Sequence, residues 1–169
     1  AILSKVRELA HQNLVQFRGC WLMAEDGSEV APEDVGKPNV PPPAVVVIST
    51  DLIERNLLTR LHEAHSLNLA GIPAEELLHY VRQAASALDY LNLANDIQHR
   101  DVRPENLLLR NDQVLVSNFG LAKLMDGGGD VRSSRPIAEI DYAAPELLQN
   151  RVTNRTDQYS LALTYYTLR

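Results

Sequence analysis

The chain is short of several things, and each shortage removes a class of answers. It has one cysteine, Cys20, which excludes an internal disulfide framework and any multi-cysteine metal site and fits a reducing compartment. No uncharged apolar run approaches the roughly 18 residues that a membrane-spanning helix needs, so no membrane segment is expected within the chain. Lys5, Arg7 and Glu8 fall inside the first ten residues, which is not the pattern of a signal peptide. Positive charge is scarce too. Against 22 Asp and Glu stand 16 Lys and Arg, a formal net charge of −6. Nucleic acid selects for a basic stripe, so this balance argues against it as a partner. The expected location is cytoplasmic. What remains is 169 residues, 45% apolar and 22% charged, which suits about one globular domain. The chain starts at Ala1 rather than Met and stops at Arg169 inside an apolar helical pattern, so a piece of a longer protein is expected.

Along the chain, Ile2, Val6 and Leu9 have near-helical spacing, which predicts a helix over residues 1–11. His11-Gln12-Asn13 ends it, and Leu14 to Phe17 reads as a short strand. Between Gly27 and Pro43 the prolines at 32, 38, 41, 42 and 43 predict a solvated loop joining two strands, because proline fits neither a helix interior nor a ladder. The PxxP spacing of Pro38 and Pro41 is common in any such linker and assigns nothing. Ala44 to Ile48, rich in β-branched residues, predicts a buried strand. Asn56 to His65 predicts a short helix with Leu57, Leu58 and Leu61 inward. Pro73, Glu75 and Glu76 mark a helix start, with acids at the positive end of the dipole. Leu77, Val81, Ala84, Leu88 and Leu91 then continue an amphipathic helix to Asn92. Leu107 to Leu109 and Val114 to Val116 flank Asn111-Asp112 as a hairpin, and Tyr159 to Leu168 reads as a second apolar helix.

The chemistry lies in His99-Arg100-Asp101-Val102-Arg103-Pro104-Glu105-Asn106, followed by three leucines. Asn118-Phe119-Gly120 starts seventeen residues after Asp101, and Ala144-Pro145-Glu146 follows. In order and spacing these resemble the protein kinase signature set of catalytic loop, DFG and APE. Tyr142 to Glu146 looks like the Y-x-APE segment, Asp157 to Leu161 like the start of the central C-lobe helix, and His11 to Val15 like the junction after helix C. The phrasing is most similar to bacterial eukaryotic-like Ser/Thr kinases.

The resemblance implies a partial α+β, protein-kinase-like two-lobe fold. Residues 1–55 would be the end of the N-lobe, with the end of helix C, late strands and hinge. Residues 56–169 would be the first half of a mainly helical C-lobe. The implied activity is phosphoryl transfer from ATP, with Mg²⁺, to Ser or Thr of a protein substrate. Asp101 would orient the attacking hydroxyl. Arg103 would stand beside the transferring phosphate where the family usually has Lys, a planar fork in place of a compact ammonium. Asn106 would offer its amide oxygen to the metal. His99 would be structural, Arg100 would face a phosphorylated activation segment, and Asp157 would tie the catalytic-loop backbone. Ser133 and Ser134 are the candidate phosphosites. Thr50 would be the gatekeeper, with Asp51, Leu52 and Ile53 as the hinge that meets adenine. Phe119, Gly120 and Glu146 complete the structural motifs.

Departures from the family pattern carry their own expectations. Asn118 stands where the family has the metal-binding Asp, which removes a charge and an oxygen and points to a pseudokinase or a weak enzyme. Ala138 and Glu139 replace the Gly-Thr upstream of APE, at the substrate-docking loop. No Gly-rich phosphate loop and no VAIK-type Lys precede the hinge, and the helix C glutamate position falls on Ile2. The glycines at 127–129 read as a flexible loop, not a substitute. Glu146 is expected to be a carboxylate without a partner, and Leu161, Leu163 and Leu168 to be short of neighbours. An HExxH metal pair opening at His62 would need its second histidine where the chain has Ser66, and His65 is one residue too early. His79 reads as exposed, and Cys20 as a buried structural thiol. The rival functions are a nucleotide- or partner-binding pseudokinase scaffold and a small-molecule phosphotransferase, the latter disfavoured by the APE segment.

Overall fold

A computed structural model describes residues 8–119, 141–149 and 151–169. Most of the helix expected over residues 1–11 lies outside these residues, as do Gly120, the glycines at 127–129, Ser133, Ser134, Ala138 and Glu139. The chain forms two compact units, one built on Val15–Leu52 and the other on Ala10–Leu14 with Ile53–Arg169. The class is α+β.

The first unit is a three-stranded antiparallel sheet of β1 (Phe17–Met23), β2 (Glu29–Val30) and β3 (Val45–Thr50), in the order β2-β1-β3. The strand expected from Leu14 therefore begins at Phe17. Leu14 instead forms a lone parallel bridge to Val116 in the second unit. The strand read as buried is only half covered: Val45 is 55% and Val47 43% exposed. A run of β-branched residues signals a strand without saying whether one face or both will be covered. Here Trp21, paired with Val47 across the ladder, shares the open face, while Cys20 and Val30 are buried. The register shifts between Phe17 and Gly19, and Arg18, at that bulge, grips the Asp51 carboxylate through Nε at 2.7 Å and Nη2 at 3.3 Å.

In the second unit, β4 (Arg55–Asn56), β5 (Leu107–Arg110) and β6 (Gln113–Val116) form a sheet in that order. Among the described residues three α-helices join it: α1 (Leu57–Ser66), α2 (Ala74–Asp89) and α3 (Thr156–Leu168). Asn56 caps α1 reciprocally with Thr59, each side chain accepting the other's backbone N–H at 2.9 Å. Leu57, Leu61 and Ala64 make the inward face, and Leu58 is only partly covered. α2 buries Leu77, Tyr80, Ala84, Ala87 and Leu88, then passes into a π-helical turn that seats Leu91. Arg60 and Glu76 join the two helices in a fork of 2.6 and 2.8 Å.

The helix expected from Tyr159 starts at Thr156, and its buried face is Thr156, Asp157, Ser160, Leu161, Thr164 and Leu168. Tyr159 and Tyr166 point outward, 44% and 78% exposed. An inward face that opens on polar residues has little apolar periodicity, which is why the periodicity starts the helix late while the motif resemblance places its start at Asp157. Leu161 and Leu168 are buried, so the expectation that they lack neighbours is corrected. Gly71 packs against the end of α3. A Cβ there would lie 2.8 Å from the carbonyl oxygen of Leu168, helix backbone that also accepts from Ile72 N. Gly71→Ala is expected to lower the unfolding free energy by about 1–3 kcal/mol, measured by urea denaturation.

Asn13 locks the hairpin. Its Nδ2 donates to the Val114 carbonyl at 2.8 Å and to Gln83 Oε1 at 2.9 Å, and its own carbonyl accepts from Val116 N at 2.8 Å. This fixes β6, and with it the segment that leads to Asn118.

Candidate active site

The loop between α2 and β5 is held from below by the first turn of α3. The buried Asp157 carboxylate accepts from the backbone N–H groups of His99 and Arg100, both at 2.7 Å. That grip supports an unfavourable backbone: Arg100 has φ of +65°, in the left-handed region. The His99 ring is 1% exposed, with Nε2 2.7 Å from the Ser117 carbonyl and Nδ1 accepting from Asp101 N at 3.2 Å. A carbonyl can only accept, so the ring proton sits on Nε2. Burial pushes the His99 pKa down, outweighing the opposite pull of Asp157 and Asp101, so the ring is a neutral strut between loop and hairpin.

Protonation of such a ring links stability to pH. The unfolded chain takes up a proton near pH 6.5 and the folded chain only lower, so His99 contributes full stability above about pH 6.5 and loses it on acidification. His11, also lowered by burial, acts in the same direction. Glu76 and Glu105 are held below the usual carboxylate range by arginine partners, and their contribution fades only below about pH 4.5. Thermal unfolding followed by circular dichroism should therefore show a lower midpoint at pH 5 than at pH 7.5, and a flat profile over that range would contradict it.

Pro104–Asn106 makes a single 3₁₀ turn, and it aims Asn106 back at Asp101. Asn106 Nδ2 donates to the Asp101 carbonyl at 2.8 Å and to its Oδ2 at 2.9 Å. Ser117 donates to the Asn106 carbonyl through N at 2.9 Å and Oγ at 3.0 Å. Arg103 is held in a fork by Glu105, at 3.0 and 2.7 Å. Asn118, at φ +59°, donates from Nδ2 to Asn106 Oδ1 at 2.8 Å. Asn118, Asn106 and Asp101 are thus one hydrogen-bonded chain.

The Mg²⁺ implied by the resemblance can be tested against this donor set. Mg²⁺ wants near-octahedral oxygen ligands, commonly with a carboxylate among them. Asn106 Oδ1 already faces an N–H donor, and Asn118 brings no negative charge. Among the described residues no group of three His, Cys, Asp or Glu gathers into a possible metal site. Without nucleotide phosphates the residues do not fit the cation.

Thr50 ends β3, exposed, and donates to the Asp51 carbonyl at 3.3 Å. Asp51 is taken up by Arg18 in the first unit, and the half-buried Ile53 opens the second. Phe119 is 1% exposed. Glu146 is half-buried and has partners: it accepts from Thr153 Oγ1 at 3.1 Å and Thr156 Oγ1 at 3.0 Å, which corrects the expectation of a carboxylate without one. Its own backbone N–H, then Thr156, holds its pKa below the usual range. His62, His65 and His79 are exposed. Sequence reasoning missed Glu105 as the partner of Arg103, although an R-x-E spacing carried the signal. It also missed Ser117, which nothing marked.

The protein kinase domain family matches residues 2–169, and the chain belongs to that family. The fold is protein-kinase-like. The crystal structure of the PknI kinase domain of Mycobacterium tuberculosis superposes with a TM-score of 0.67 at 26% identity, covering 98% of this chain and 51% of that one. A curated relative is the membrane-associated tyrosine- and threonine-specific cdc2-inhibitory kinase wee-1.3 of Caenorhabditis elegans, 30% identical over 91% of this chain and 19% of its own length. Another is the serine/threonine-protein kinase PknF of Mycobacterium tuberculosis, 34% identical over 58% of this chain and 22% of its own length. The chain thus spans about half of the solved kinase domain and about a fifth of these curated relatives. Among the described residues no helix is long and apolar enough to cross a membrane.

Proposed function

We propose that the 99–106 loop orients the hydroxyl of a Ser or Thr in a protein substrate for phosphoryl transfer from ATP. The observation that carries this reading is the Asp101 carboxylate, fixed at Oδ2 by Asn106 Nδ2 at 2.9 Å on a loop whose backbone Asp157 clamps. A carboxylate so positioned accepts a hydrogen bond from the attacking hydroxyl and aligns it. Arg103 supplies positive charge for the phosphate, exchanging Glu105 for it. Thr50 would be the gatekeeper, with Asp51, Leu52 and Ile53 as the hinge that meets adenine, and Ser133 and Ser134 are the candidate phosphosites of the activation segment that Arg100 would pair with. Residues 1–55 and 56–169 then correspond to the end of an N-lobe and the beginning of a C-lobe. The single cysteine, which fits a reducing compartment, supports a cytoplasmic setting for this portion.

A second reading has its own observation. The Asn118 amide occupies Asn106 Oδ1, which favours a pseudokinase scaffold that binds nucleotide or partner without turnover. Labelled ATP and a Ser/Thr-rich protein acceptor, incubated with the complete gene product, separate the two. Label recovered as phosphoserine or phosphothreonine is expected. Nucleotide binding without labelled product would leave the scaffold.

A further inference from the structure

The link between Asn118 and Asn106 has a specific geometry. Asn106 Nδ2 is committed to two acceptors of Asp101, the carbonyl and Oδ2, so the orientation of the Asn106 amide is set by groups that can only accept. Its Oδ1 must then face Asn118, and at 2.8 Å the Asn118 atom meeting it must be the donor, Nδ2. A carboxylate at 118 would place two acceptor oxygens at hydrogen-bond distance, an arrangement that needs a cation or proton between them. The amide needs neither, because it supplies its own hydrogen. The φ of +59° at Asn118 is one that Asn tolerates better than most residues, so the amide is presented without disturbing β6.

We propose that the Asn118 side-chain amide takes the place of the divalent cation in this centre, holding Asn106 and through it Asp101 in position by hydrogen bonds and leaving no Mg²⁺ site at these residues in the nucleotide-free protein. The role of Asp101 is the reading given above, on which this inference builds. The pre-set Asp101 carboxylate is then independent of metal concentration.

The test is cation binding in the absence of nucleotide, on the full chain. Mn²⁺ is the probe, and the readouts are its electron-spin-resonance signal and water-proton relaxation. Asn118→Asp adds a charge and an oxygen and removes the competing donor, so it is expected to bind Mn²⁺ at least about tenfold more tightly than wild type. Equal affinity in the two proteins would overturn the proposal. The unmodified chain gives a second reading should the variant fold poorly. With ¹⁵N-labelled protein, the side-chain amide resonances of Asn106 and Asn118 should stay put through a millimolar MgCl₂ titration. A saturable shift of both would overturn the proposal. Neither experiment contains nucleotide or acceptor, so failure of the phosphotransfer reading would leave these results unchanged.

Discussion

Asp157→Ala should cost about 3–4 kcal/mol of unfolding free energy, the largest effect expected of any single substitution here on stability. The carboxylate is 3% exposed and accepts two backbone N–H groups at 2.7 Å, both charge-assisted. Truncation leaves both donors buried without their acceptor and removes the grip on Arg100 at φ +65°. Domains of ordinary stability have about 5–15 kcal/mol in total, so the variant should unfold at clearly lower urea. Asp157→Asn keeps one acceptor oxygen and should lose about half as much. A change of less than about 0.5 kcal/mol for Asp157→Ala would show that the clamp is not what holds the loop.

Asp101→Ala should behave in the opposite way, with activity lost and fold kept. A positioned carboxylate at the reacting hydroxyl contributes about 10²–10⁴-fold, and phosphotransfer by the complete gene product should fall by that factor. Stability should change by about 1 kcal/mol or less, because Asn106 Nδ2 retains the Asp101 carbonyl as acceptor at 2.8 Å when Oδ2 is removed. The two variants together separate support from chemistry. Asp157→Ala damages both, whereas Asp101→Ala damages one.

The site's outline was legible because it is local. His99 to Asn106 lie within one loop, and the spacing to Asn118 is set by one hairpin. α2 was legible from its apolar period and the hairpin from its turn residues. What stayed hidden depends on partners distant in sequence or on faces that composition does not reveal. The motif resemblance places the start of α3 at Asp157, but its apolar pattern does not, because Thr156 and Asp157 turn inward as polar residues to meet Glu146 and the loop. Glu146 looked unpartnered because its donors are hydroxyls, which no charge pattern marks. The Asn118 substitution was visible, but its consequence was not. Only the fold brings its Nδ2 to Asn106 Oδ1, and that turns a missing carboxylate into a formed hydrogen bond.

The measurement that bears most directly on the centre compares phosphotransfer by wild type, Asn118→Asp and Asp101→Ala at one concentration of MgCl₂ and ATP. A hydroxyl-orienting half that is built, beside a cation half closed on itself, predicts that Asn118→Asp is fastest, by about tenfold or more over wild type. Wild type in turn should exceed Asp101→Ala by about 10²-fold or more. A wild-type rate indistinguishable from that of Asp101→Ala would contradict it.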